Sequence, residues 1–553
     1  MKFKKHLLLA LLAGTMAASA VGLAACGNPG PTDPSQGDGP TSAPVDESNP
    51  IFDISNLEND VEYEDDGVTP IFAGVEVKLM SVIGDPDLNV LKSLIEQFNK
   101  DYRGKIKISL TSVGHEDFYN TLDTTWTLSP EDMPDVLLMH NEKTGEYVNK
   151  EMLIPLDKVM ETYNYSFDTS NVYENIDRGQ TWLGKRFGLP LDAHGFLTHF
   201  RQDIIKKNGL GFDENTRFIP ETRAEYQSLL EALRAKADSS EGLLVRDIRK
   251  GENHAWKKVS ATNFYPEFMQ TTDPDGLGAI YANGDRLAND EGSEVLFQNS
   301  KGFQTYLTDI VDRWNNKLMG EAGTNVEGFN LGNNVIFAEG PWWTSLNYTP
   351  NMNIAELKAE SLGGKWETTG ANLGVTEEDA NDPIISQPMV PMNSSGFWTL
   401  EENMNLATAD SWYGNGHAFS ITRRCESATT ALAGLEFAKW MIYGKDSDDH
   451  YHLATWATGG HIPAWKHVYN DDYYQEVARG NLTLTALGDP AKIIAMEPLP
   501  YETTIFNAVS NAVNNVIMGC KGGTVATHED ALTILQEVSA SAQFSLDTLF
   551  GEW

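Results

Sequence analysis

Strands and helices alternate between residues 75 and 153, and this alternation is the feature that most constrains the fold. Strand patterns occur in VEVKLM, KIKISLTSV and PDVLLM. Between the first two lies LNVLKSLIEQFNKDY, whose apolar residues recur at helical spacing. PDVLLM is a continuous apolar run, which is typical of a strand buried on both faces of a parallel sheet. The segment therefore predicts an α/β domain with a largely parallel sheet.

Ligands of such sheets bind beyond the carboxyl ends of the strands. In this sequence the rule points to Gly84-Asp85, after the first strand, and to residues 139–143, after PDVLLM. Further along, FLTHFR, NNVIFAE and HAFSIT have strand patterns, and SATTALAGLEFAKWMIYG has a helical one. The chain from about Asp471 to its end is predicted to be mainly helical.

The charge balance excludes one class of partner. A chain of 553 residues with 41% hydrophobic content can bury a sizeable core, but its formal net charge is −38. Such an acidic surface repels phosphate backbones, so nucleic-acid binding is not expected.

The first 26 residues follow the pattern of an exported protein. Three lysines precede an apolar stretch, Leu7 to Leu23, and the stretch ends in Leu23-Ala24-Ala25-Cys26. This ending resembles the lipobox of bacterial lipoproteins, which implies a signal peptide over residues 1–25 and a lipid anchor on Cys26. Acyl chains contribute about 0.8 kcal/mol per buried methylene, so two or three of them anchor a protein firmly.

The residues after Cys26 are predicted to be a disordered tether over 26–73. Gly27 to Pro50 contains no Leu, Ile, Phe or Met, and Asp53 to Asp66 adds seven acidic residues and no basic one. Such composition cannot bury enough apolar surface to fold, so order is expected to begin near Val75. The two remaining cysteines, Cys425 and Cys520, are expected to be buried free thiols.

No cofactor, metal site or catalytic residue is predicted. Gly179 to Lys185 resembles a phosphate-binding loop, but Arg186 stands where that motif requires Ser or Thr. His194 and His199 are five residues apart, and His450 and His452 flank one tyrosine, and neither spacing resembles a zinc site. Carboxylates are too plentiful for a glycosidase pair to be excluded.

The motif GPWWTSLNY is a candidate for sugar stacking. Adjacent residues in an extended chain face opposite sides, so one of Trp342 and Trp343 could pack inward while the other faces a cleft. An indole face suits the apolar C–H face of a sugar. The alternative is that both tryptophans belong to the core.

Several of these segments occur together, in the same order, in a known family. The sequence resembles the extracellular solute-binding proteins of carbohydrate ABC importers, the group that includes maltodextrin-binding protein. The resemblance covers Val75 to about Trp465, with a less similar insert at about 208–319, and rests on the lipobox and on MPDVLLMHNE, GKRFGLPLDAHGFLTHFRQDII, NNVIFAEGPWW, GHAFSITRR and ATGGHIPAW.

The resemblance implies a two-lobed α/β fold of the periplasmic-binding type II class, with the ligand cleft between lobes joined by hinge strands. It places lobe 1 at residues 74–190 and 417–470, and lobe 2 at residues 191–416 and 471–553. The segments GLPLDAHGF and NGHAFSIT would cross between the lobes.

The resemblance also implies a set of ligand-binding residues. They lie in the loops after the strands, in the crossings, in GPWW and in ATGGHIPAW: Asp85, His140, Glu142, Asp192, His194, Trp342, Trp343, Gly460 and His461. Trp342 matches the family's stacking tryptophan best, whereas His194 stands where the best-known member has a carboxylate.

The implied function is to capture an extracellular sugar, with an oligosaccharide as the expected ligand, and to deliver it to ABC permease subunits. The protein would be a monomer, lipid-anchored outside the bacterial cell membrane, and would catalyse no reaction. Two alternatives stay open: a surface lipoprotein glycoside hydrolase, and a solute-binding protein for a polyamine, a peptide or iron.

Overall fold

The fold contains two sheets, each built from strands that are far apart in the sequence. The computed structural model of the chain describes residues 48–212, 217–249, 252–268, 275–321, 325–340, 374–392, 395–409, 411–496 and 498–551. All of them belong to one compact unit, Ala43–Trp553.

The strands of the described residues are β1 (Val75–Ser81), β2 (Ile106–Ser112), β3 (Val136–His140), β4 (Thr181–Trp182), β5 (Lys185–Arg186), β6 (Leu189–Pro190), β7 (Asp192–Ala193), β8 (Leu197–Arg201), β9 (Leu244–Val245), β10 (Lys257–Lys258), β11 (Glu267–Phe268), β12 (Met319–Gly320), β13 (Ile336–Glu339), β14 (Met389–Met392), β15 (Trp412–Gly414), β16 (His417–Ile421), β17 (Ile462–Pro463) and β18 (Ile493–Ala495).

The α-helices of the described residues are α1 (Asp87–Asp101), α2 (His115–Leu128), α3 (Thr144–Asn149), α4 (Leu156–Thr162), α5 (Glu174–Asp177), α6 (Gln202–Lys207), α7 (Arg223–Asp238), α8 (Asp275–Tyr281), α9 (Lys301–Asn315), α10 (Asn325–Leu331), α11 (Glu377–Asn381), α12 (Ser395–Trp398), α13 (Ala428–Tyr443), α14 (His452–Trp456), α15 (Asp472–Gly480), α16 (Leu482–Leu487), α17 (Glu502–Gly522) and α18 (His528–Gly551). None of these helices combines the length and the apolar character that crossing a bilayer requires.

The first sheet has the strand order β2-β1-β3-β16-β6. β1 is parallel to β2 and β3, whereas β16 is antiparallel to β3 and to β6. All five residues of β3 are buried, as its apolar run predicts. Helices α1 and α13 meet beside this sheet, where the ring of Phe98 contacts Phe437 edge to face at 5.0 Å.

The second sheet has the strand order β12-β11-β13-β8-β14. β11 is parallel to β12 and β13, and β8 is antiparallel to both of its neighbours, β13 and β14. Each sheet has its own hydrophobic core. The first core contains Val77 and Leu137, and the second contains Phe200, Leu307 and Val513.

Within the described residues, the chain passes between the two cores at three places. We call residues 191–196 the first crossing, residues 411–416 the second crossing, and residues 493–499 the third crossing. Ile493 belongs to the first core and Met496 to the second. The third crossing therefore lies later than the lobe boundary at 471 that the sequence suggested, and α15 and α16 contribute Tyr474 and Leu484 to the first core.

Residues 50–72 are also ordered, so the prediction of a tether as far as residue 73 is wrong for this segment. Ile51, Phe52, Ile54 and Leu57 are buried in the first core. The acidic residues that suggested disorder make specific bonds, since Asp60 accepts hydrogen bonds from the Ser427 hydroxyl (2.6 Å) and the Thr429 amide (2.8 Å). A carboxylate at this position is favoured because it satisfies and neutralises the N-terminus of α13.

Both predicted free thiols are confirmed. Cys425 is buried in the first core and Cys520 in the second, and each is unpaired by a disulfide. Cys26 lies outside the described residues.

Candidate functional site

A cluster of buried polar side chains lies where the first two crossings meet. It consists of Asp192, His194, His417 and His461, and we call it the histidine–aspartate cluster. All four residues are at most 6% exposed. Asp192 and His194 lie in the first crossing, His417 begins β16, and His461 precedes β17. Ends of strands are where an α/β fold places a ligand site.

Backbone pairing brings these four residues together. His194 pairs with Asn415, and each of the two amides donates to the other's carbonyl oxygen at 2.8 Å. β17 pairs with β7 in the register Ile462↔Ala193 and Pro463↔Asp192. This pairing brings His461, the residue before β17, to the first crossing. Residues far apart in the sequence thus share one site.

A glycine permits the closest approach of the two crossings. A Cβ atom on Gly416 would lie 2.1 Å from the carbonyl oxygen of Asp192 and 2.8 Å from Nδ2 of Asn141. Side-chain bulk at this position would therefore push the second crossing away from the first. His417 follows directly and takes its place at the start of β16, opposite His140 of β3.

Asp192 lies at the centre of the cluster. Both of its carboxylate oxygens lie 3.0 Å from Nδ1 of His417, and Oδ2 accepts a 2.5 Å hydrogen bond from Nε1 of Trp456. Burial alone would raise the pKa of this carboxyl, but His417, His461 and the surrounding hydrogen bonds outweigh it and hold the pKa well below its usual value. Asp192 is therefore an anion inside the protein.

The pKa values of the imidazoles are shifted in opposite directions. Burial lowers the pKa of His194 to about 4, although Asp192 opposes the shift. Burial also lowers the pKa of His140, and the neighbouring histidines lower it further. The pKa of His461 is raised, because Asp192 and Asp87 together outweigh its burial. Within the cluster, the shifts therefore favour the neutral form of His194 and the charged form of His461.

Neighbouring side chains orient the rings of the cluster. Nε2 of His461 lies 2.9 Å from Oδ2 of Asp87, and the Trp456 ring stacks on the His461 ring at 5.0 Å. The hydroxyl of Tyr119 lies 2.9 Å from Nδ1 of His140. His140 in turn lies beside the cluster, with its ring centroid 5.0 Å from that of His417.

A pair of buried carboxylates lies beyond His140. Glu142 follows β3, and Oε2 of its side chain is buried without a hydrogen-bond partner among the described residues. Burial, and after it the charge of Glu502, raises the pKa of Glu142 to about 8. Glu502 begins α17 and is bonded to Lys143, which also donates to the Thr503 hydroxyl at 2.6 Å.

The structure brings together four of the predicted ligand residues: His140, Asp192, His194 and His461. Gly460 is buried beside them with a φ of 92°, a conformation that favours glycine. Asp85 is exposed and accepts a hydrogen bond from Asn89 at 3.1 Å, whereas Asp87, two residues later, contacts the cluster. Trp342 and Trp343 lie outside the described residues.

Three contributors were missed: His417, Asp87 and Trp456. His417 stands in NGHAFSIT, which the resemblance identified as a crossing, so its position within a crossing was the available signal. Asp87 and Trp456 carry no such signal, because they reach the cluster only through the packing of α1 and α14.

Solved structures with a similar fold cover most of the chain, although no family model matches the sequence. An ABC substrate-binding protein of Listeria monocytogenes, solved in complex with cycloalternan, has a TM-score of 0.57 and 13% identity over 87% of this chain and 99% of its own.

The sugar-binding protein MalE of Xanthomonas citri has a TM-score of 0.58 and 15% identity, covering 87% of this chain and all of its own. UgpB of Mycobacterium tuberculosis, in complex with glycerophosphocholine, has a TM-score of 0.56 and 12% identity over 86% of this chain and 99% of its own. At such low identity the likeness concerns the fold. The predicted two-lobed α/β fold of the periplasmic-binding type II class is confirmed.

Proposed function

We propose that this protein captures an extracellular oligosaccharide and delivers it to the permease of an ABC importer. The observation that carries the proposal is the gathering of buried polar and aromatic side chains at the crossings between two separate cores. Proteins of this fold whose structures are similar hold cycloalternan in one case and bind sugar in another. In such a fold, closure of two lobes about crossings encloses a ligand.

The chemistry of the site favours sugar over a phosphate-bearing solute. Carboxylates accept hydrogen bonds from hydroxyl groups, and imidazoles can either accept or donate them. The Trp456 ring adds an apolar face. The carboxylates of Asp87 and Asp192 lie at the site and would repel a phosphate. Lys143 is already bonded to Glu502 and Thr503 and does not compensate for them.

The remaining features follow from the leader and the fold. We place the protein outside the cytoplasmic membrane, anchored by a lipid on Cys26 after removal of residues 1–25. It acts as a monomer and leaves its ligand chemically unchanged. Cys26→Ala should move the protein from the membrane fraction to the soluble fraction, and retention on membranes after a salt wash would contradict the anchor.

Calorimetric titration tests ligand capture directly. The panel contains linear and cyclic oligosaccharides, with glycerophosphocholine, a polyamine and a peptide as competitors of other chemistry. We expect binding of at least one sugar, with no hydrolysis product on chromatography. Binding of glycerophosphocholine alone, or cleavage of a sugar, would refute the proposal.

A variant pair tests the site. His140→Gln removes an imidazole beside the cluster and should weaken sugar binding about three- to tenfold, since one hydrogen bond contributes about 0.5–1.5 kcal/mol. His450→Gln makes the same replacement at a ring that stacks on Tyr473, away from the cluster, and should leave affinity unchanged. Equal affinities for both variants would remove His140 from the site.

We further propose that Trp342 stacks on the sugar and that Trp343 packs into its lobe. Trp342→Ala should weaken sugar binding by roughly tenfold to a thousandfold, because stacking and area burial both contribute. Trp343→Ala should instead lower the melting temperature, since a vacated core position costs about 3–5 kcal/mol. If Trp342→Ala melts early and binds normally, the two roles are exchanged or both rings are core.

A further inference from the structure

Three imidazole nitrogens surround the Asp192 carboxylate. Nδ1 of His417 lies 3.0 Å from it, Nδ1 of His461 lies 3.7 Å from Oδ2, and Nδ1 of His194 lies 3.8 Å from Oδ1. One potential ligand atom from each of the four residues lies within 4.8 Å of all the others. Three nitrogens and one oxygen, delivered by three separate chain segments, thus converge on one small volume.

The orientation of His461 directs one of its ring nitrogens toward Asp192. Its Nε2 lies 2.9 Å from Oδ2 of Asp87, and a carboxylate acceptor there keeps the ring proton on Nε2. The lone pair of Nδ1 then points toward Asp192, and no described group lies within hydrogen-bonding distance of this buried Nδ1. A lone pair and a carboxylate that face each other inside a protein repel each other unless a proton or a metal ion lies between them.

We propose that Asp192, His194, His417 and His461 bind one divalent transition-metal ion of the zinc class. Neutral imidazole nitrogens and a carboxylate oxygen are ligands that Zn²⁺ prefers, and four ligands satisfy its tetrahedral geometry. Zinc–nitrogen distances of about 2.0–2.1 Å place tetrahedral ligand atoms roughly 3.3 Å apart. The separations between Asp192 and the three imidazoles, 3.0 to 3.8 Å, lie on both sides of that value, so the ion would require only small rotations of the rings about their side-chain bonds.

Neighbouring groups hold the proposed ligands in position. Asp87 orients His461, Nε1 of Trp456 donates to Oδ2 of Asp192, and the backbone amide of His417 donates to Oδ1 at 2.9 Å. Such contacts fix ring orientation and ligand basicity in metalloproteins. The ion would join the first crossing, the start of β16 and the loop before β17, and would thereby stiffen the hinge. This inference goes beyond sugar capture and does not depend on it.

Metal binding is measured on the full chain, purified without a polyhistidine tag and stripped with a chelator. We expect equilibrium dialysis to give one Zn²⁺ per chain, and Co²⁺ to give the visible absorption of a tetrahedral site that Zn²⁺ abolishes. Sugar titration on the same preparation distinguishes the two proposals. Retained sugar binding without stoichiometric metal would overturn the metal site alone, and would identify the cluster as an aspartate paired with a protonated His461.

Three variants locate the ion. His461→Gln should abolish the Co²⁺ spectrum and lower Zn²⁺ affinity more than the roughly 10–100-fold that loss of an outer contact costs. Asp87→Asn, at a positioning residue, should lower affinity roughly 10–100-fold with an unchanged melting temperature. His450→Gln is the matched control and should change neither quantity. Unchanged Zn²⁺ affinity in a folded His461→Gln protein would overturn the assignment.

Discussion

Among the described residues, two of the buried clusters of charged side chains are built in opposite ways. One is the histidine–aspartate cluster at the crossings. The other lies in the second lobe and consists of Arg201, Asp203 and Arg246, all with 0% exposure. We call it the arginine–aspartate cluster.

Hydrogen bonds hold the arginine–aspartate cluster together, although the buried Nη1 of Arg246 has no partner among the described residues. Arg201 donates to both oxygens of Asp203, at 2.9 and 3.0 Å, and Arg246 donates to Oδ2 at 2.8 Å. The guanidinium of Arg201 also reaches the carbonyl oxygens of Phe329 (2.7 Å) and Arg246 (2.9 Å). Burial would raise the pKa of Asp203, but the two arginines outweigh it and lower the pKa.

The comparison separates a structural charge cluster from a ligand-binding one. Guanidinium groups keep their charge and present donors in a fixed geometry, so the arginine–aspartate cluster holds β8, β9 and their neighbours together. Imidazoles can lose a proton and then offer a lone pair, so the histidine–aspartate cluster can accept a ligand. All the side chains of both clusters are buried, so the chemistry of the basic group, guanidinium or imidazole, distinguishes their roles.

The largest expected effect is on stability, from Asp203→Asn. It leaves two buried guanidinium groups facing a neutral amide, and breaking such a pair costs about 3–5 kcal/mol. Chemical denaturation should show this loss, while sugar and Zn²⁺ affinities of the folded fraction remain unchanged. A loss below about 1 kcal/mol would mean that the arginine–aspartate cluster contributes no more to the free energy of unfolding than the histidine–aspartate cluster does.

Asp192→Asn should have a smaller effect on stability and a larger one on binding. It weakens charge-assisted bonds from His417 and Trp456, which we expect to cost about 1–3 kcal/mol of unfolding free energy. Zn²⁺ binding should be lost. If Asp192→Asn unfolds as readily as Asp203→Asn and still binds zinc, the comparison between the clusters fails.

Glu142→Gln should produce a pH-dependent gain in stability. The pKa of Glu142 is about 8 in the folded protein and near its usual 4.5 when unfolded, so the folded state binds more protons between these values. Stability contributed by this group therefore falls as the pH rises from about 4.5 to 8. Glutamine removes this dependence, and the variant should gain about 1–3 kcal/mol at pH 8 but little at pH 5.

Melting curves of the wild type and Glu142→Gln at the two pH values measure this gain, at very roughly 1 °C per kcal/mol for a chain of this size. An equal difference at pH 5 and pH 8 would show that Glu142 does not carry the raised pKa.

Asp85→Asn should have the smallest effect. Asp85 is exposed and bonded only locally to Asn89, so the unfolding free energy should change by less than about 0.5 kcal/mol. Sugar affinity measured on the same variant tests whether Asp85 binds ligand, as the resemblance implies. Normal affinity would transfer that role to Asp87.

The fold could be predicted because its signals are local. The apolar run of β3 and the helical spacing of α1 and α13 each lie within fewer than twenty residues, and the structure has these elements where they were expected. Residues 50–72 carry a misleading local signal. Their carboxylates are solvated in an unfolded chain, and only the distant start of α13 turns Asp60 into a helix cap.

The histidine–aspartate cluster could be predicted only in part for the same reason. Asp192 and His194 were found through the first crossing and His461 through ATGGHIPAW, but the spacing of histidines along the chain did not suggest a shared site. His417 joins them only through the pairing of β16 with β3 and the close approach at Gly416. Non-local pairing of this kind leaves no periodicity in the sequence.

Each lobe contains one buried thiol whose labelling rate can report the opening of that lobe. Cys425 is fully buried in the first core and Cys520 is 4% exposed in the second, and burial raises the pKa of both. A thiol in this state reacts with a labelling reagent only when its surroundings open. The labelling rates of Cys425 and Cys520 in one sample would therefore report the opening of each lobe separately, and would show whether a ligand at the crossings slows one lobe or both.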